Sequence, residues 1–246
     1  MPPDAKAPLT RGRFVTAAAA DGGSFRTYVS LPAKTPAPAL VMQHTMFGVN
    51  PLFRSFCDDY AAEGYVVVAP DLFWRMGKDI ELDYREESYE IGHGLMRKID
   101  KTRAVGDVAA TMSVMRRMPE VRGKIAAVGY CMGGTLAYLT AARTDVDMAI
   151  CYYAIDMEDH FDELDRIRAP VVVHLGDRDP YVKPGAFEVI ARTLAGKPEV
   201  TFHAYPGVGH GFASKGSKNY NPAASGLAWS RSMDALRKTI DRKSVV

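Results

Sequence analysis

The sequence predicts an α/β protein, a mostly parallel central sheet with helices on both faces, and three observations predict it. Residues 39–43, 65–69 and 171–175 are apolar at every position but Gln43 and His174, the pattern of strands buried on both faces rather than on one. Strand-like and helix-like stretches alternate along the chain, which implies parallel strands joined by right-handed crossovers. Finally, the apolar run 124–128 is followed by Gly129-Tyr130-Cys131-Met132-Gly133-Gly134 and then by the helix formers of 135–142, a strand, sharp turn and helix in succession.

Each element has its own local reason. A Pro-rich leader over residues 1–10, expected to be mobile, precedes strands at 12–16 and 24–30, joined by a turn at Asp21-Gly22-Gly23. Pro36 and Pro38 break the chain before the strand at 39–43. Residues 51–63 read as a helix with Asn50 as N-cap and Pro51 at its first position. The strand at 65–69 follows and is closed by Pro70-Asp71-Leu72. Residues 71–100 are charged and aromatic, and read as a cap-like excursion over a cleft. From Asp100 to Met118 the apolar positions Val105, Val108, Ala109, Met112 and Met115 recur at helical spacing. Beyond the glycine-flanked cysteine come strands at 148–153, 171–175 and 200–205 and helices at 186–194 and 223–240. Without a repeat or a linker, residues 1–246 read as a single domain.

The glycines at i−2 and i+2 of Cys131 match a nucleophile elbow, where small residues let the backbone turn tightly beneath a strained side chain. The N-terminus of the following helix presents unpaired N–H groups and partial positive charge, which favour a thiolate and an oxyanion. The bland alternative is a packing cysteine, since free cysteines are among the most buried residues. A thiol nucleophile needs a base, and the base needs an orienting acid. Asp179, in Gly176-Asp177-Arg178-Asp179-Pro180, and His210, in Gly207-Val208-Gly209-His210-Gly211-Phe212, each follow an expected strand, in the chain order nucleophile, acid, histidine. Asp177 and Asp156 are rival acids.

On Met46-Phe47-Gly48-Val49-Asn50, the stretch 67–73, Gly129-Tyr130-Cys131-Met132-Gly133-Gly134, Gly176-Asp177-Arg178-Asp179 and Gly209-His210-Gly211-Phe212, the chain resembles the dienelactone hydrolase (carboxymethylenebutenolidase) family of the α/β-hydrolase fold. The resemblance implies Cys131 as nucleophile, His210 as base and Asp179 as its orienter. It also implies an oxyanion hole from the N–H groups of Met46 and Met132, and Arg75 as a binder of substrate carboxylate. Two positions depart from the family: Thr45 stands where a glutamate helps activate the thiol, and Ser214 where a second arginine is expected. Thr45 cannot serve as a carboxylate base, Lys215 could supply charge by a different geometry, and His44 reads as structural.

The formal net charge of +2 gives no electrostatic case for nucleic acid or a membrane surface, and no run approaches the ~20 apolar residues of a membrane span. Cys57, Cys131 and Cys151 lack disulfide or zinc spacing, which suits a reducing, cytoplasmic setting. The expectation is therefore a monomeric or weakly homodimeric thiol hydrolase of a small ester or lactone, cofactor-free and metal-free, with a modest preference for an anionic substrate. The alternative is a non-catalytic ligand-binding protein on the same fold.

Overall fold

All eight expected strands form. The computed structural model describes residues 12–241 of the 246; the expected leader lies outside the described residues. The chain divides into two compact units, Met1–Ile125 and Ala126–Val246.

In the first unit, β1 (Arg13–Ala18) and β2 (Ser24–Ser30) form an antiparallel hairpin with Arg13 opposite Val29 and Ala18 opposite Ser24. Gly22 and Gly23 turn it at positive φ, 98° and 86°, conformations open to glycine without steric cost. β2 runs antiparallel to β4 (Val66–Pro70), which is parallel to β3 (Ala37–Gln43), giving the order β1-β2-β4-β3. β3 begins two residues earlier than the prolines suggest, because the Ala37 N–H still finds an acceptor, the Glu120 carbonyl at 2.9 Å. Every residue of β4 is buried. Since successive side chains point to opposite faces, both faces of that strand are covered.

α1 (Pro51–Ala62) starts where Asn50 Oδ1 accepts the Phe53 N–H at 2.8 Å, and buries Phe53, Phe56, Cys57 and Tyr60 on one stripe against β2 and β4. α2 (Glu86–Lys98) occupies part of the segment expected to be an excursion. α3 (Lys101–Met115) is capped by Asp100, whose Oδ1 accepts the N–H groups of Thr102 and Arg103. Its buried Val105, Val108, Met112 and Met115 follow the helical spacing of the sequence, so the methionine stripe is core.

β5 (Val121–Tyr130) begins in the first unit and runs into the second, where it lies parallel to β6 (Met148–Tyr152), β7 (Val171–Gly176) and β8 (Val200–Tyr205) in the order β5-β6-β7-β8. α4 (Met132–Arg143), α5 (Ala186–Ala195) and α6 (Pro222–Thr239) are the α-helices of this unit among the described residues. The charged link after β6 is a 3₁₀ segment, Met157–Arg166. Buried Glu163 in that segment anchors it to α4 by accepting from Arg143 Nε at 2.9 Å and Nη2 at 2.6 Å.

α6 is seated on the sheet by a chain of buried polar groups. Ser232 Oγ lies 2.7 Å from the Tyr152 hydroxyl and 2.9 Å from His174 Nε2, and His174 Nδ1 lies 2.8 Å from the Tyr205 hydroxyl. Burial first, then the neighbouring charges of His203 and Arg231, hold the His174 imidazole well below its ordinary pKa, so it sits neutral between two hydroxyls. Among the described residues, no helix is long and apolar enough to cross a membrane.

Candidate active site

Cys131 is the single residue between β5 and α4, and it takes φ 61°, ψ −124°. A non-glycine residue at positive φ is held there by its surroundings. Its N–H donates to the Tyr152 carbonyl at 2.9 Å, and its own carbonyl accepts the Gly134 N–H at 2.9 Å. Gly129 and Gly134 are steric necessities. A Cβ on Gly129 would strike the Gly133 carbonyl, and one on Gly134 would lie 2.8 Å from the Tyr152 oxygen and 3.2 Å from Ala154 Cβ. The thiol thus stands buried at the N-terminus of α4, beside the N–H of Met132, which at the first position of a helix has no intrahelical acceptor.

Two loops of the same unit bring the other groups together. The loop after β7 is laced to the loop after β8: Arg178 N–H donates to the Val208 carbonyl at 3.0 Å, Asp177 N–H to the Tyr205 carbonyl at 3.2 Å, and Gly207 N–H to Asp177 Oδ1 at 2.7 Å. Asp177 therefore shapes the turn. Across this lacing, Asp179 Oδ2 lies 2.8 Å from His210 Nδ1, while Asp179 Oδ1 accepts the Tyr181 N–H at 2.9 Å. Of the three carboxylates weighed from sequence, Asp179 is the one bonded to His210. Asp156 instead begins the 3₁₀ segment in a left-handed conformation, φ 53°.

The imidazole of His210 is largely withdrawn from solvent, which by itself disfavours its charged form. That effect is outweighed by the attraction of Cys131, with further help from hydrogen bonding to Asp179 and to Cys131, and the pKa rises to about 10. With Nδ1 held by Asp179, the ring nitrogen left for the thiol is the buried Nε2, which lacks a partner in good hydrogen-bond geometry. The thiol and the ring are therefore coupled more through charge than through a formed bond. The arrangement can accept a proton from sulfur and return it to a leaving oxygen.

Three residues missed in the sequence surround this histidine. Tyr181 and Tyr153 place their rings 4.5 and 4.9 Å from it, and Asn219 Nδ2 donates to its carbonyl at 3.0 Å. The signal for Tyr153 was its place at the C-terminal end of a strand, where α/β sites gather.

The remaining candidates have definite places. In the first unit, Arg75 Nη2 donates to Asp21 Oδ1 at 2.7 Å and Asp107 Oδ1 at 2.8 Å, and its guanidinium stands 4.1 Å from the centre of the Trp74 ring. A substrate carboxylate would compete with these partners. Thr45 is buried, with its Oγ1 accepting the Phe47 N–H at 3.2 Å. His44 donates from Nδ1 to the Thr45 carbonyl at 2.7 Å and accepts the Leu72 N–H on Nε2 at 3.0 Å. Both ring nitrogens serve the backbone, and burial holds the pKa down, so His44 is structural. Met46 is buried, its side chain close to Gly92 of α2. In the second unit Lys215 is exposed and Ser214 buried. Among the described residues, no cluster of three or more His, Cys, Asp or Glu side chains is arranged to hold a metal ion.

Comparison with known proteins gives a consistent result. The profile of the dienelactone hydrolase family matches residues 25–240. A carboxymethylenebutenolidase of Pseudomonas putida is 34% identical over 224 residues, covering 91% of this chain and 95% of its own. Carboxymethylenebutenolidase 1 of Cupriavidus pinatubonensis is 34% identical over 216 residues, covering 87% and 92%. Among solved structures, P91, a dienelactone hydrolase-like promiscuous phosphotriesterase from metagenomic libraries, superposes with a TM-score of 0.74 at 18% identity, covering 94% of this chain and 98% of that one; at that identity the likeness bears on the fold alone.

Proposed function

The chain belongs to the dienelactone hydrolase family and has its α/β-hydrolase fold, and from that premise we propose that it hydrolyses a small carboxylic ester or lactone through a Cys131, His210, Asp179 triad. The observation that carries the reading is the histidine tied at Nδ1 to Asp179 while charge-coupled to Cys131, all within one unit.

In this reading His210 takes the thiol proton as Cys131 Sγ adds to the carbonyl carbon. The Met132 N–H at the head of α4 receives the developing oxyanion. Collapse expels the alkoxide, which takes the proton from His210 and leaves a thioester on Cys131. With a lactone the leaving oxygen stays tethered to the acyl group. Water, activated by His210, then hydrolyses the thioester. Asp179 holds the ring in one tautomer throughout. Thr45 cannot assist as a base, so thiol activation falls to His210 and the α4 terminus.

Iodoacetamide is expected to alkylate Cys131 and abolish hydrolysis of a p-nitrophenyl ester. Cys131→Ala is expected to lower the rate at least ~1,000-fold. Full turnover by Cys131→Ala would overturn the proposal.

A further inference from the structure

Tyr153 follows the last residue of β6 and takes φ 37°. For a bulky side chain this is strained, and such strain persists only where the surroundings over-determine the conformation. Here they do. The Tyr153 N–H donates to the His174 carbonyl at 2.7 Å, and the carbonyl of the preceding Tyr152 accepts the Cys131 N–H. The following residue, Ala154, lies against Gly134 in the first turn of α4. The backbone of Tyr153 is thus bolted to the elbow.

Its side chain reaches the other partner. The ring lies edge to face with His210, with centroids 4.9 Å apart and planes at 68°, and meets Phe212 at 5.5 Å. Continued strand geometry would carry successive side chains to alternate faces; the left-handed turn redirects this one. Tyr181 adds a second ring at 4.5 Å, and Asp179 holds Nδ1, so the plane of the imidazole is determined from several sides.

We propose that Tyr153 is a positioning residue, fixing the His210 imidazole relative to Cys131 through a backbone anchored at the elbow and a ring borne on the histidine. The proposal rests on the reading of Cys131 and His210 as nucleophile and base. What it requires is the aromatic ring rather than the hydroxyl.

The test compares wild type with Tyr153→Phe and Tyr153→Leu in two assays: kcat and KM on a p-nitrophenyl ester, and the pH profile of Cys131 alkylation by iodoacetamide. Tyr153→Leu is expected to lower kcat about tenfold or more, as small misplacements of a catalytic group do, with KM changed less than about twofold and the alkylation profile displaced. Tyr153→Phe is expected to recover most of the rate and the wild-type profile. Tyr153→Met, flexible enough to fill the same space, carries the expectation of the leucine variant should that one fail to fold. Wild-type kcat and profile in Tyr153→Leu, or equal impairment in Tyr153→Phe, would overturn the proposal. Alkylation needs no turnover, so a displaced profile in a protein that cleaves no ester upholds the positioning role while the hydrolase reading fails.

Discussion

Gly134 shows how closely single atoms are specified around the thiol. A methyl there would sit 2.8 Å from the Tyr152 carbonyl, the same carbonyl that accepts the Cys131 N–H. Gly134→Ala is expected to destabilise the fold by about 1–3 kcal/mol, as overpacking does, and to lower ester hydrolysis by moving the thiol; urea unfolding and a rate assay measure both. Wild-type stability would mean that residues 152–154 shift freely away from α4. These glycines, Cys131, Asp179 and His210 were legible in the sequence because each belongs to a short motif just after a strand. Tyr153 and Tyr181 were not, because a ring contact between distant loops leaves no local pattern. Arg75 was legible as a residue but not in its company: only the fold brings Asp21 and Asp107 to its guanidinium.

Among the elements, α1 illustrates a helix written plainly into the chain. Asn50 caps Phe53 through Oδ1 and also donates from Nδ2 to the Leu82 carbonyl at 2.7 Å. Asn50→Ala is expected to cost about 1–3 kcal/mol, the loss of a cap and of a second hydrogen bond. Asn50→Asp, which keeps the cap and loses the donor, should fall between, and urea unfolding would reveal it; an alanine variant as stable as wild type would refute this account. α2 was harder to see because Gly92 and Gly94 lower its helix propensity. At Gly92 there is a packing reason: a Cβ would lie 3.1 Å from the Met46 carbonyl. The 3₁₀ segment was hidden for another cause. Its sequence is mostly charged, it is kinked at His160, and it is held by the Arg143 to Glu163 pair rather than by an apolar stripe.

Over the whole molecule, three imidazoles shape how stability responds to pH. His44 and His174 are held below the ordinary histidine pKa of 6.5, chiefly by burial. Below that pH the unfolded chain binds protons that the folded one refuses, so stability is lost as pH falls, by up to about 1.4 kcal/mol per pH unit for each. His210 is raised to about 10, so its contribution is complete below 6.5 and is lost as pH rises through 10. Urea unfolding should therefore show stability lost as pH falls below 6.5, together with an alkaline decline that Cys131→Ala reduces but does not remove, because Cys131 supplies the main upward pull on His210 while the buried thiols of Cys57 and Cys151 are raised independently. A profile level from pH 5 to 10 would contradict this assignment. The buried chain through Ser232 also has a consequence for synthesis. Tyr152, His174 and Tyr205 leave the ribosome before Ser232 does, so β6, β7 and β8 can first assemble only with those polar groups open to water. The second unit gains its dry interior late, when residues 222–239 emerge and α6 closes over the nascent sheet.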